Sequence, residues 1–279
     1  MQTGRKVLNG NDRAVSEAIG FIIIFGIIIA GIGLVTLYGY PMLLQQQSSS
    51  NEQIMEKNMI VLQNDLKSVA YKTVPYKETS LNVGGGALTV YNTTYDTTST
   101  TPDSSFSLYD NYGNVATSGT PLKFYPGDLR YESTSAETGI SLENGAVVKR
   151  MFAEDGSTML AEPRWFHDSQ TNTFVIYLIG FNTTTDVMAQ TGVGTVKMKL
   201  NQTNYIQDYI PYNPVLGPDI IHVTYTQNNN ANYSTAWGNY LTGTLNMQQG
   251  GNPGEYLWST GTQPANLVIY EYEIIIESV

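Results

Sequence analysis

From Val15 to Leu44 the chain reads VSEAIGFIIIFGIIIAGIGLVTLYGYPMLL, apolar but for one acid, Glu17, with no further charge until Glu52. About 20 such residues suffice for a helix to cross a roughly 30 Å hydrocarbon layer, so the run predicts a spanning helix rather than a core helix. Tyr38 and Tyr40 stand where an interfacial aromatic belt would sit. Pro41 lacks an N–H and is expected to kink the helix or end its membrane part. Gly20, Gly26, Gly31, Gly33 and Gly39 would let neighbouring helices approach closely. The pattern then changes. Between Gln45 and Tyr71, Met55, Met59, Leu62, Leu66 and Val69 recur at spacings of 4, 3, 4 and 3, the stripe of an amphipathic helix. One long helix, closed by Val74-Pro75, accounts for both halves. The alternative is a separate short helix after a Gln/Ser linker.

Beyond Pro75 the period shortens to that of strands. Ser80 to Tyr91 reads as a strand interrupted by Gly84-Gly85-Gly86. No Gly-Lys-Ser/Thr and no helical pattern follow, so a bulge or tight turn is expected there, not a phosphate loop. Thr93 to Ser105 is a Thr/Ser-rich loop. Phe106 to Tyr109 is a short strand, reversed by Asp110-Asn111-Tyr112-Gly113-Asn114 and returning from Val115. Pro126-Gly127-Asp128 marks a turn. Leu129 to Glu132 and Gly139 to Arg150 are strands, with Asn144-Gly145 as a tight hairpin turn or a plain loop and Asp155-Gly156 as a further turn signal. Thr173 to Phe181, TFVIYLIGF, is too short to span as a helix and is expected as a central buried strand. Gly194 to Leu200 alternates apolar residues with lysines and predicts a half-buried strand. Pro211 and Pro214 break the pattern across Gln202 to Val215. Ile220 to Thr226 and Asn266 to Ile276 are strands, and the Asn/Gln/Gly-rich stretch between them, Gln227 to Gly254, reads as loop or irregular meander. The plan is α+β: a basic leader at 1–14, a transmembrane helix at 15–44, an amphipathic stalk helix at 45–74, and a β-rich, antiparallel, sandwich-like head at 75–279.

Composition narrows the function classes. The net charge of −10 and the scarcity of Lys and Arg, 14 in 279 residues, argue against a nucleic-acid partner, whose phosphates need clustered basic residues. With no cysteine, a disulfide framework and a thiolate metal site are both out. Twenty tyrosines and 26 glycines suit strands and turns. Four N-x-S/T sequons follow the apolar run, at Asn92, Asn182, Asn201 and Asn232, and are glycosylation candidates if the head lies outside the cell.

The leader, MQTGRKVLNGNDRA, carries Arg5, Lys6 and Arg13 against Asp12, a bias that favours its retention in the cytoplasm and places the head outside. The junction Arg13-Ala14 followed by Val15-Ser16-Glu17-Ala18-Ile19-Gly20 resembles the processing site of archaeal type IV pilins and related pilin-like proteins. The resemblance implies a cut by a prepilin peptidase between Ala14 and Val15, a mature chain that keeps the apolar segment, and a continuous N-terminal helix with a β head on its C-terminal half. Many archaeal pilins have Pro where this chain has Glu17. An acid near the start is common to pilins, though here it is third after the implied cut rather than fifth. Glu17 is therefore a candidate for contact with a neighbouring subunit's amino terminus, against the plainer reading of a solvated headgroup-level acid. The Gly-Gly-Gly-apolar strand and the stretches NGAVVKR and MLAEPRW resemble an uncharacterised group of archaeal pilin-like envelope proteins, which extends the likeness over roughly Arg13 to Leu200.

Candidate chemistry is thin. His167 and His222 lack metal-ligand spacing, and no G-x-S-x-G elbow accompanies His167-Asp168. Glu132, Glu143, Glu154 and Glu162 invite a paired-carboxylate reading, but solvation on strand faces is the expectation. Trp237, Tyr240 and Trp258 lie among polar residues and read either as core plugs or as a sugar-stacking surface. No catalytic residue, cofactor or metal is expected, and the chain does not read as an enzyme. The expected function is that of a pilin-like subunit or membrane-anchored envelope protein at the cell surface, serving adhesion or filament assembly. Its implied partners are membrane lipid, the peptidase, other pilin subunits and glycans. The alternative is a membrane-anchored sugar-binding or adhesive module that does not polymerise.

Overall fold

The computed structural model describes residues 11–72, 74–92, 104–111, 121–154, 156–184, 188–210, 219–227 and 232–279, and the side chains from Glu17 onward. It divides into two compact units, Met1–Ser49 and Ser50–Val279. The boundary falls inside the second helix, so the stalk from Ser50 onward is part of the head's own packing.

The first unit is helical. Helix α1 spans Asn11–Leu34, a π turn spans Val35–Gly39, and helix α2 begins at Tyr40 and runs to Tyr71. The helix runs on through Pro41, in line with the expectation of one long helix. Its missing N–H and its ring would disrupt an ordinary i→i−4 ladder. The chain widens by one residue just before it, with the Tyr40 N–H bonded to the Val35 carbonyl, and the helix continues. Thr36 Oγ1 also donates back to the Ile32 carbonyl at 2.9 Å, a bond that loosens helix geometry at the same place.

The second unit is built on a nine-stranded sheet. Its strands, in chain order, are β1 (Tyr76–Tyr91), then β4 (Asp128–Ser133), β5 (Thr138–Glu143), β6 (Ala146–Met151), β7 (Ser157–Ala161), β8 (Phe166–Asp168), β9 (Thr173–Thr183), β10 (Met188–Ile210) and β14 (Ala265–Ser278). Strands β2 (Ser104–Tyr109), β3 (Leu122–Phe124), β11 (Ile220–Gln227), β12 (Gln248–Gln249) and β13 (Glu255–Ser259) form a second, five-stranded sheet. The large sheet has the order β7-β6-β5-β4-β1-β10-β14-β9-β8 and the small one β12-β13-β11-β2-β3. All the described pairings are antiparallel except β14 with β9, which run parallel. The sandwich is therefore mixed rather than purely antiparallel.

Two apolar layers hold it. On one face of the large sheet lies α2. Met55, Met59, Leu62, Leu66 and Val69 are fully buried, the same five positions as the sequence stripe. They pack against Leu81, Leu88, Leu129, Ile140, Phe181 and Ile274, among others. Burying such side chains is worth about 1.5–3 kcal/mol each. Gln63, between them, donates to the carbonyls of Gly145 at 2.7 Å and Glu162 at 2.9 Å, so its buried amide is satisfied while it ties the helix to the sheet. On the opposite face, Phe174, Ile176 and Leu178 of β9 and Leu267 and Ile269 of β14 meet Phe106, Val223, Tyr225 and Trp237 of the second layer. Strand β9 thus feeds both layers, which explains its unbroken apolar sequence.

Local signals behave as their chemistry dictates. Asn144 and Gly145 take φ of 46° and 76° and close the β5–β6 hairpin. The triple glycine is a bulge in β1, with a register shift between Val83 and Leu88. Gly85 has φ 71°, and a side chain at Gly86 would overlap the Glu132 carbonyl and the Tyr131 ring. Tyr131 and Ser133 hydroxyls donate to the freed carbonyls of Gly84 and Gly85 at 2.7 and 2.6 Å. Two expectations fail. β10 does not stop near Leu200 but runs on to Ile210, because its Thr, Tyr and Ile residues suit a strand. The Gln227–Gly254 stretch is not all loop. It contains helix α3 (Ser234–Asn239), a π turn at Tyr240–Thr244 and strand β12, held by the burial of Trp237, Tyr240 and Leu241 rather than by any periodic pattern. β2 pairs with β11 on one side and β3 on the other, and the return expected from Val115 lies outside the described residues, as do the leader's first ten residues, Pro211, Pro214 and Asp155.

Candidate functional site: the N-terminal helix and its surroundings

The most distinctive functional feature is the apolar helix. From Glu17 to Ser50 not one side chain is buried within the protein. Phe21, Ile22, Ile24, Ile27, Ile32, Leu34, Leu37 and Tyr38 each expose more than half their surface. Such a contiguous apolar surface needs a second apolar phase or a second protein to cover it. One helix in the described residues, Glu17–Tyr71, is long and apolar enough to cross a membrane, with a mean hydropathy of 2.9 in its most apolar window. The 26 residues from Ile19 to Leu44 rise about 39 Å at 1.5 Å each, which covers a hydrocarbon core of roughly 30 Å.

Ala14 and Val15 both lie within the first turns of α1. The Glu17 side chain is exposed at the start of the described apolar surface, so it is available to a partner and has none of the burial that would mark an internal role.

The four sequons occupy three different settings. Asn182 and Asn201 both donate their side-chain amides to Glu273, at 2.7 and 2.9 Å, from strands β9 and β10 on either side of β14. Asn92 donates to Thr183 Oγ1 at 3.2 Å. Those three amides are engaged across strands. Asn232 is exposed and precedes α3, where its Oδ1 accepts from the Ser234 hydroxyl at 2.9 Å and the Ser234 amide at 3.3 Å.

No group of three or more His, Asp or Glu among the described residues could hold a metal. The two histidines do not meet. His222 Nδ1 lies 2.8 Å from Glu255, the Tyr109 hydroxyl donates to the same carboxylate at 3.0 Å, and the Tyr109 and His222 rings stack at 4.6 Å. The His222 bond, aided by the Asn252 amide and Tyr109, holds the Glu255 carboxyl down to about 2. His167 packs edge-on against Trp258 at 5.0 Å. Phe166, His167, Asn246, Gln248 and Trp258 line a cleft of about 410 Å³. A groove of about 310 Å³ is lined by Lys123, Tyr125, Glu271 and Glu273 among others.

Trp237 and Tyr240 are core plugs, 0% and 3% exposed, and cannot offer a sugar-stacking surface. Trp258 is also buried, at 6%, and lines the cleft.

Glu143 overturns the strand-face expectation outright. It is 1% exposed, sealed between the two sheets at the end of β5. Its carboxylate accepts from Ser104 Oγ, from the Tyr225 hydroxyl at 3.2 Å and from Trp237 Nε1 at 3.0 Å. Burial pushes its carboxyl up to about 7. Beside it, Arg130 grips Asp128 through two nitrogens at 2.8 and 3.1 Å, and the Tyr233 hydroxyl is buried without a hydrogen-bond partner. No sequence signal marks this cluster, because Ile140-Ser141-Leu142-Glu143 alternates like a strand with a wet face. The second sheet that dries that face comes from β2 and β3 and from the strands beyond Ile220.

Fold and site together define a β-rich body bearing one N-terminal helix that could span a membrane. The chain matches a family of unknown function, DUF7289, over residues 13–253, and belongs to it. No curated protein matches the chain, and no solved structure does.

Proposed function

We propose that this chain is a membrane-anchored, pilin-like surface protein whose leader is removed between Ala14 and Val15 and whose β-rich head stands outside the cell. The observation that carries the reading is the exposed apolar surface of the helix, none of it buried against the protein, set directly behind a basic leader. The Arg13 to Gly20 junction supports processing by a prepilin peptidase, and Arg5, Lys6 and Arg13 support a leader that faces the cytoplasm. The helix then serves one of two ends. It stays in lipid as an anchor, or it packs with other subunits in a filament core, where exposed Glu17 would meet a neighbour's amino terminus. Extraction and surface proteolysis test the anchoring. The chain should stay with membranes in alkaline carbonate, and protease added to intact cells should remove the head. Release by carbonate, or protection of the head, contradicts the reading. Recovery of the chain as the main component of purified surface filaments favours the filament end over the anchor.

A second reading, an anchored ligand-binding head that does not polymerise, is favoured by the 410 Å³ cleft lined by Phe166, Trp258, Asn246 and Gln248. A glycan array probed with the full chain tests it, with Phe166→Ala as the control that should abolish any signal.

A further inference from the structure

The cleft of about 410 Å³ draws its lining from β8, the last strand in the order of the large sheet, and from β12 and its neighbour β13 in the small one. Its volume falls within the roughly 300–1,000 Å³ of small-molecule sites. Among the described residues its lining holds one titratable side chain, His167, and no Asp, Glu, Lys or Arg. An ionic ligand would therefore enter without an opposite charge to meet it, and giving up its hydration uncompensated is costly. Two carboxylates stand close by. Glu162 accepts from the hydroxyl of Thr244, itself a lining residue, at 2.7 Å, and Asp168 follows His167 in the chain. In a chain of net charge −10, they add repulsion against an anion.

The polar groups of the cleft are held in place. Leu245 and Met247 are buried, and their N–H groups donate to the Tyr240 and Leu241 carbonyls at 3.2 and 2.9 Å. Asn246, between these two anchors, takes φ 53°, a conformation that Asn tolerates better than most residues. Alternation with Leu245 and Met247 leaves Asn246 and Gln248 exposed. Their side-chain amides make no hydrogen bond to the described residues. Each amide offers a carbonyl acceptor and two N–H donors. A sugar hydroxyl both donates and accepts, so neighbouring hydroxyls on one ring match that set without any charge. Phe166, 40% exposed, adds an apolar ring to the lining. Trp258 is fixed by stacking on Phe174 at 5.0 Å and by the edge-on contact with His167, so this part of the lining is preformed.

We propose, resting on the second reading of the head as a ligand-binding module, that this cleft takes an uncharged saccharide unit, with Asn246 and Gln248 bonding its hydroxyls and Phe166 meeting its C–H face. The anchoring of the chain and the processing of its leader do not depend on this assignment.

The full chain in detergent, applied to an array of neutral hexose and N-acetylhexosamine oligosaccharides beside uronic-acid oligosaccharides, should bind neutral members only. Asn246→Asp keeps the side chain's shape and its tolerance of positive φ but replaces N–H donors with an acid, and Gln248→Glu makes the same change at its position. Each should weaken binding of the neutral oligosaccharides about tenfold, the worth of one hydrogen bond lost. Phe166→Ala should abolish binding, and an unchanged melting temperature for each variant shows that folding is intact. Equal binding of uronic-acid oligosaccharides, lost in Phe166→Ala, overturns the uncharged class and leaves the ligand-binding head standing. Binding of neutral oligosaccharides that survives all three substitutions unchanged overturns the assignment to this cleft. No binding to any member of the array overturns both the assignment and the second reading.

Discussion

Glu143 offers the sharpest test of the internal packing. In the unfolded chain its carboxyl titrates near the ordinary 4.5, while burial between the sheets lifts it to about 7 in the folded protein. Between those two values the folded state holds a proton that the unfolded state has lost. Stability must therefore fall as pH rises through this window and level off above about 7. The displacement corresponds to about 3 kcal/mol, at about 1.4 kcal/mol per tenfold change in proton concentration. That is a large share of a typical domain stability of about 5–15 kcal/mol. Glu143→Gln keeps the shape and removes the titration. It also weakens the bonds from Ser104, Tyr225 and Trp237 by about 1 kcal/mol or more, but that loss is the same at every pH and cancels in a comparison across pH. The assay is urea unfolding of the full chain in detergent, followed by tryptophan fluorescence between pH 4.5 and 8. The native protein should lose about 3 kcal/mol relative to the variant over that range. The Glu255 carboxyl, held down to about 2, acts in a different window: its contribution is present above 4.5 and is lost as pH falls toward 2. Parallel pH curves for the native chain and Glu143→Gln would refute the buried, proton-holding carboxyl.

Three further perturbations follow from other parts of the chain. Gly86→Ala places a methyl group against the Glu132 carbonyl and the Tyr131 ring, and chemical denaturation should show a loss of about 1–3 kcal/mol. Leu62→Ala empties a fully buried position between α2 and the sheet and should lower stability by about 2–5 kcal/mol, read as a reduced urea midpoint at unchanged slope. Ile28→Arg puts a charge mid-way along the exposed apolar helix and should cost about 2.5–3.5 kcal/mol of membrane insertion. A sharp drop in the membrane-bound fraction would report it, and unchanged fractionation would count against a spanning role for this segment.

What the sequence disclosed was what depends on neighbouring residues. The 4-3-4-3 stripe from Met55 to Val69, the Asn144-Gly145 turn, the glycine bulge and the buried character of TFVIYLIGF all follow from local periodicity or dihedral preference. Partner choice does not. Nothing in Thr173–Phe181 says that it lies parallel to the C-terminal strand some ninety residues on, because the intervening second sheet sets that connection. The burial of Glu143 is hidden for the same reason: its strand alternates as though one face were wet, and the layer that dries it is assembled from distant segments. The α3 region around Trp237 carries helix-poor Asn, Gly and Thr and folds only because two aromatic rings enter the core. At Pro41 a π turn five residues long absorbs the missing N–H, and the helix continues as one run. The apolar helix was the most legible part of all, since its character is compositional and does not depend on what it packs against.

The intact mass of the chain recovered from its own membranes tests the central claim most directly. Processing as proposed yields a mature protein that begins at Val15 and lacks the first 14 residues. A chain that retains Met1 or begins at Gln2 would contradict the pilin-type pathway, and the helix would then be an uncleaved signal anchor.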